Sequence, residues 1–130
     1  MKQTLLHSET TDLILKAYFS VYNTLGYGFL EKVYENALLI ELKSMGLKAQ
    51  RQVPIKVFYQ EQLVGDYYAD IIVEDQVIIE LKAAEAHCEE HEYQIINYLK
   101  ATNIEVGLLL NFGKKPQFSR KVFTNKESLK

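Results

Sequence analysis

Residues 65–82, Gly-Asp-Tyr-Tyr-Ala-Asp-Ile-Ile-Val-Glu-Asp-Gln-Val-Ile-Ile-Glu-Leu-Lys, constrain this chain more than any other stretch. They read as two β-branched strands joined by a polar turn. Three charges interrupt the apolar runs: Asp70, Glu80 and Lys82. A charge inside such a strand costs free energy unless it is paired or bound to a metal. A three-residue loop centred on Asp75 sets Val73 against Val77, Ile72 against Ile78 and Asp70 against Glu80. Opposed residues hold their Cβ atoms roughly 4.5–5.5 Å apart. Glu80 and Lys82 share one face, because side chains alternate along a strand. Two opposed carboxylates repel, and a divalent cation between them removes the repulsion.

Two alternatives stay open at this level. Asp70 or Glu80 can pair with Lys82 in a purely structural salt bridge. A two-residue turn would place Asp70 and Glu80 on opposite faces and dissolve the pair.

The rest of the chain supplies helices and further strands. Ser8 with Glu9 can open a helix whose apolar positions run from Leu13 through Ile14, Ala17, Tyr18, Val21, Tyr22 and Leu25, with Gly26 as its stop. A second helix starts near Phe29, with Leu30, Val33, Tyr34, Ala37, Leu38, Leu42 and Met45 as its apolar stripe and Gly46 as its end. Residues 48–59 alternate as a strand, with Pro54 marking an edge, and Glu61-Gln62 reads as a turn. Residues 89–101 form a helix burying Ile95, Ile96 and Leu99. Residues 104–110 suit a strand buried on both faces. Residues 113–116 form a loop, and 119–124 a last strand. A helix between two strands implies one crossover, hence a mixed sheet flanked by helices, an α/β (α+β) fold. The 130 residues fit one domain, 1–130.

Composition narrows the function classes. The chain is 48% hydrophobic and 25% charged, as in soluble globular proteins. No apolar run approaches the roughly 18 residues that span a bilayer. The first residues lack the apolar core of a signal peptide. Cys88 is the single cysteine, which excludes an internal disulfide and points to the cytoplasm. The formal charge is −2, but from Lys100 onward seven basic residues stand against Glu105 and Glu127. Such an end can track phosphates or be a solvated strand with ordinary surface lysines. His87, Cys88 and His91 are weak zinc candidates, since a structural site wants four ligands. His7 reads as a terminal surface residue.

Further motifs follow in order. Gly28-Phe29-Leu30-Glu31-Lys32-Val33-Tyr34 fits Gly-x-x-Glu-x-x-Tyr. Tyr68-Ala69-Asp70 is followed by Ile79-Glu80-Leu81-Lys82-Ala83. Then come His91-Glu92-Tyr93-Gln94, Tyr98-Leu99 and Leu109-Leu110-Asn111-Phe112-Gly113. Together these resemble the GxxExxY family of small bacterial and archaeal proteins, grouped with the PD-(D/E)XK nucleases, over residues 13–123. Ala69 departs from the proline of the superfamily's name. The resemblance implies a restriction-endonuclease-like core and a metal-dependent nuclease cutting phosphodiester bonds in DNA or RNA. It implies Asp70, Glu80 and the Leu81 carbonyl as metal ligands, with Lys82 acting on the attacking water or the phosphate. Glu31, otherwise a first-turn glutamate favoured by the helix dipole, would reach the metal directly or through water. Tyr34 is expected to pack. His91, Gln94 and Tyr98 share a helix face, and Gln94-x-x-x-Tyr98 resembles a substrate-contacting element of exonucleases. Two oxygen ligands suit Mg²⁺, with Mn²⁺ as the substitute. The partner expected is nucleic acid, not a membrane, and a homodimer is compatible with the sequence. The competing readings are a non-catalytic nucleic-acid-binding module on the same fold, and an interaction scaffold using the tyrosines and phenylalanines as anchors.

Overall fold

The structure, a computed structural model, describes residues 5–85 and 88–124. The elements are α1 (Ser8–Leu25), α2 (Glu31–Ser44), β1 (Ala49–Tyr59), β2 (Gln62–Val73), β3 (Val77–Lys82), α3 (Glu89–Ala101), β4 (Val106–Phe112) and β5 (Pro116–Val122). The strands form one mixed sheet in chain order. Among the described residues only β3 and β4 run parallel, joined through α3, and the other neighbours are antiparallel.

Alternation on β3 divides the molecule into two layers. Val77, Ile79 and Leu81 pack with Ile14, Tyr18, Leu38 and Leu42 of α1 and α2. Ile78 points the other way, into a smaller cluster with Ile95, Tyr98 and Leu99 of α3. Every residue of β4 is buried, as its unbroken apolar run predicts. No helix among the described residues is long and apolar enough to cross a membrane.

The central turn has the expected register: Val73 faces Val77, Ile72 faces Ile78 and Ile71 faces Ile79. Glu74 and Asp75 both take positive φ, 54° and 53°, and the Gln76 N–H donates to the Val73 carbonyl at 2.9 Å. Lys48 clamps this turn. Its N–H donates to the Glu74 carboxylate at 2.6 Å and its ammonium pairs with Asp75 at 2.9 Å.

Several expectations shift. α1 does open at Ser8 with Glu9 in its first turn, but the cap position falls on His7, which makes no side-chain cap hydrogen bond. Leu30 lies outside α2 and is exposed. The buried side of α2 is Tyr34, Glu35, Leu38, Leu39 and Leu42, one residue round the helix from the expected stripe. Tyr98 rather than Ile96 joins Ile95 and Leu99 in the core, and Ile96 is half-buried. The first hairpin turns at Gln60 and Glu61, both at positive φ, so β2 begins at Gln62. β5 begins at Pro116.

Candidate metal centre

Asp70 stands where two ladders fail together. In the β1–β2 pairing, Arg51 faces Ile71 and Val53 faces Ala69, and the Gln52–Asp70 pair between them is missing. Gln52 has a positive φ of 49°, which breaks β1 locally. In the β2–β3 pairing, matched residues stop at Ile71 and Ile79. Beyond that point side chains replace the backbone ladder. The Asp70 N–H donates to the Glu80 carboxylate at 3.2 Å, and the Leu81 N–H donates to the Asp70 carboxylate at 2.8 Å. The two acids are thereby wired into each other's strands.

Glu80 is buried, at 5% exposure, while Asp70 is half-buried. Burial, reinforced by the hydrogen bond and charge of Asp70, pushes the Glu80 carboxyl up to about 9, and Lys82 pulls weakly the other way. Tyr98 faces the same charges. Burial first, and then Glu80, raises its hydroxyl above the usual range, opposed by a hydrogen bond from Gln94. The Gln94 amide donates to the Tyr98 oxygen at 2.7 Å, one helical turn away. Asp70, Glu80, Lys82, Gln94 and Tyr98 thus lie on the α3 side of the sheet. His91 is half-buried on the same helix, and its N–H donates to the Cys88 carbonyl at 3.0 Å.

The Gly28-x-x-Glu31-x-x-Tyr34 motif resolves into parts. Gly28 has φ of 108°, a conformation side chains rarely adopt. The Tyr34 hydroxyl accepts from the Phe29 N–H at 3.2 Å and donates to the Gly26 carbonyl at 2.7 Å, stapling the α1–α2 elbow. Its ring stacks on Phe112 at 4.3 Å. Glu31 opens α2, is exposed, and among the described residues forms no hydrogen bond or ion pair with Asp70, Glu80 or Lys82. One turn on, Glu35 is buried and pairs with Lys32 and Arg51, each at 3.1 Å, and accepts from Gln52 at 2.9 Å. Glu35 therefore ties α2 to β1 beside the missing Gln52–Asp70 pair. No apolar pattern marks it, and only its i−4 relation to Glu31 could have drawn notice.

The last motif also has a structural basis. Asn111 is buried, and its side-chain oxygen accepts from the Ala84 N–H at 3.0 Å. A Cβ on Gly113 would sit 2.0 Å from the Ala84 carbonyl, so only glycine admits this approach. These contacts fix the chain leaving β3 just past Lys82.

Among the described residues, no group of three or more His, Cys, Asp or Glu is placed to hold an ion. The zinc reading rested partly on His87, which lies outside the described residues. The donor chemistry of the Asp70–Glu80 pair does fit a hard divalent cation: two carboxyl groups side by side, one of them pushed up to about 9 by burial and its acidic neighbour, a shift that added positive charge reverses. The basic end is partly neutralised, with Lys121 paired to Glu92 at 2.5 Å and Lys114 near Glu85 at 3.9 Å.

A model of the PD-(D/E)XK nuclease superfamily matches residues 8–122. The chain belongs to this superfamily. The superfamily suggests nuclease activity, and its nucleases generally use divalent metal ions. The crystal structure of SSO0001 is similar in fold, with a TM-score of 0.56 at 16% identity over 94% of this chain. The chain spans 63% of the length of that one. No curated protein matches the chain.

Proposed function

We propose that this protein is a Mg²⁺-dependent nuclease of the GxxExxY family, acting in the cytoplasm as one nuclease-like domain over residues 1–130. The observation that carries the reading is the cross-wired Asp70–Glu80 pair, with Lys82 on the same face and the Glu80 carboxyl pushed up to about 9 by burial and by Asp70. A buried acid with a carboxylate neighbour is a strained arrangement that a bound cation relieves, and such groups cluster at functional sites.

Asp70, Glu80 and the Leu81 carbonyl would hold the ion, with Glu31 completing the set from the start of α2. The motif's other members, Gly28 and Tyr34, already have structural work, which leaves Glu31 for this role. When bound, the metal supplies Lewis acidity and lowers the pKa of water. Lys82 places a positive charge beside the carboxylates and orients the attacking water or the phosphate. Gln94 holds the Tyr98 oxygen as acceptor, which leaves the Tyr98 O–H free to donate to substrate.

Digestion of mixed DNA and RNA in Mg²⁺ or Mn²⁺, beside Asp70→Ala prepared identically, tests this. Wild type is expected to cut at least about 100-fold faster than the variant, the scale on which removing a charge-stabilising group acts. Equal rates, or no cutting in either metal, reject the reading.

A further inference from the structure

A groove of about 810 Å³ runs between the β1–β2 hairpin and α3. It borders the candidate centre through Gln94 and Tyr98, which line it, since the Tyr98 hydroxyl feels the charges of Glu80 and Asp70. Its walls carry four aromatic rings, Phe58 and Tyr67 from the hairpin and Tyr93 and Tyr98 from α3. Phe58, Tyr67 and Tyr93 are each about half or more exposed, at 60%, 48% and 57%. Tyr67 and Tyr98 meet at 5.8 Å between centroids, and Tyr98 is the ring on which the Glu80 and Asp70 charges act, so the aromatic surface runs toward the carboxylates. Lys56 and Lys100 flank the rings against the single acid Glu90.

The backbone is shaped for this surface. The β1–β2 register shifts between Val57 and Phe58. Such a bulge breaks alternation and re-aims a side chain, and Lys56, Val57 and Phe58 all line the groove. Exposed aromatic faces flanked by lysines, in a chain of net negative charge, are a local departure from the surface around them.

We propose that this groove is a track for single-stranded nucleic acid, stacking unpaired bases on Phe58, Tyr67 and Tyr93 and leading the strand to Asp70 and Glu80. The physical reason is what each form of nucleic acid offers. A duplex presents phosphates and base edges, and its base faces are already stacked. A single strand offers base faces to aromatic rings and phosphates to lysines. The inference rests on the nuclease reading above and names its substrate class.

The test is fluorescence anisotropy in EDTA, so that binding is read without cleavage. The probes are labelled oligothymidylate, oligouridylate and a blunt duplex, and the first two separate DNA from RNA strands. We expect a single strand to bind at least about 10-fold tighter than the duplex. Phe58→Ala and Tyr93→Ala should each weaken strand binding by about 10-fold, in the range of one lost stacking platform. Lys56→Gln should lower the salt slope of strand binding by about 0.7. Ile40→Ala, exposed on the opposite layer, should bind as wild type. Thermal melts of all variants establish that they are folded.

Three outcomes overturn the proposal. The first is a duplex that binds as tightly as the strand. The second is folded Phe58→Ala and Tyr93→Ala that both bind strands as wild type does. The third is light scattering that shows dimers which these substitutions dissociate, since that makes the groove an interface between copies. The two readings fail separately. Cleavage that depends on Asp70 but not on Phe58 or Tyr93 rejects the track alone. Strand binding that depends on Phe58 and Tyr93, without cleavage in Mg²⁺ or Mn²⁺, rejects the nuclease alone.

Discussion

The two faces of the sheet are built to different standards. Toward α1 and α2 the strands present Ile71, Val73, Val77, Ile79 and Leu81, and two helices cover them. Toward α3 the same strands present Ile72 and Ile78 and then, one and two steps on, Glu80 and Lys82. One helix covers that face, and its Tyr98 and Gln94 supply polar groups over the acids. The first face is closed by packing. The second is closed by packing at one end and left polar at the other. Adjacent residues of one strand thus face the larger core and the polar site in alternation, since neighbours point to opposite faces.

The largest expected contrast is a cavity. Leu38→Ala, fully buried between α2 and the sheet, should cost about 3 kcal/mol in urea unfolding. A loss under about 1 kcal/mol would mean that the α1–α2 layer is not the main source of stability.

The second contrast has the opposite sign. Glu80 has its folded pKa raised from 4.5 to about 9. The folded state therefore holds this proton more tightly than the unfolded chain does. Its stabilising contribution is complete below the unfolded value and is lost as pH rises toward about 9. Glu80→Gln keeps the shape of the protonated acid. In EDTA near pH 8 it should stabilise the protein by on the order of 2 kcal/mol, with little effect near pH 4. Melts of both proteins across this range check it, and destabilisation at high pH would count Glu80 as an ordinary structural partner.

A third and smaller effect is ligand linkage. Mg²⁺ at about ten times its dissociation constant should stabilise wild type by about 1.4 kcal/mol, and hardly affect Asp70→Asn at equal ionic strength. The same shift in both proteins would place the ion elsewhere.

The smallest effect probes the seam between the layers. Arg51→Met removes one partner of Glu35 while Lys32 and Gln52 remain. Arg51 is 45% exposed, so the cost should be about 1 kcal/mol or less. Glu35→Ala, which strips all three partners of their acceptor, should cost more. Equal costs would show that Arg51 alone anchors α2 to β1.

Much of this architecture is written locally. Helical spacing in residues 13–25 and 89–101, alternation around Val53, Ile55 and Val57, and the unbroken run of β4 each select one backbone period. The turn at Glu74 and Asp75 selects the register that brings Asp70 toward Glu80. The pair itself was therefore legible, because a hairpin is a short-range object. Glu35 and the groove were not. Glu35 reads as one more surface glutamate until Arg51 and Gln52, from a strand after α2, fold against it. The groove needs β1, β2 and α3, whose lining residues run from Lys56 to Ala101, together with a bulge that no residue type announces. Periodicity fixes which way a side chain points from its own element. What it points at depends on elements brought together by the packing of the whole sheet, and only the tertiary structure decides that.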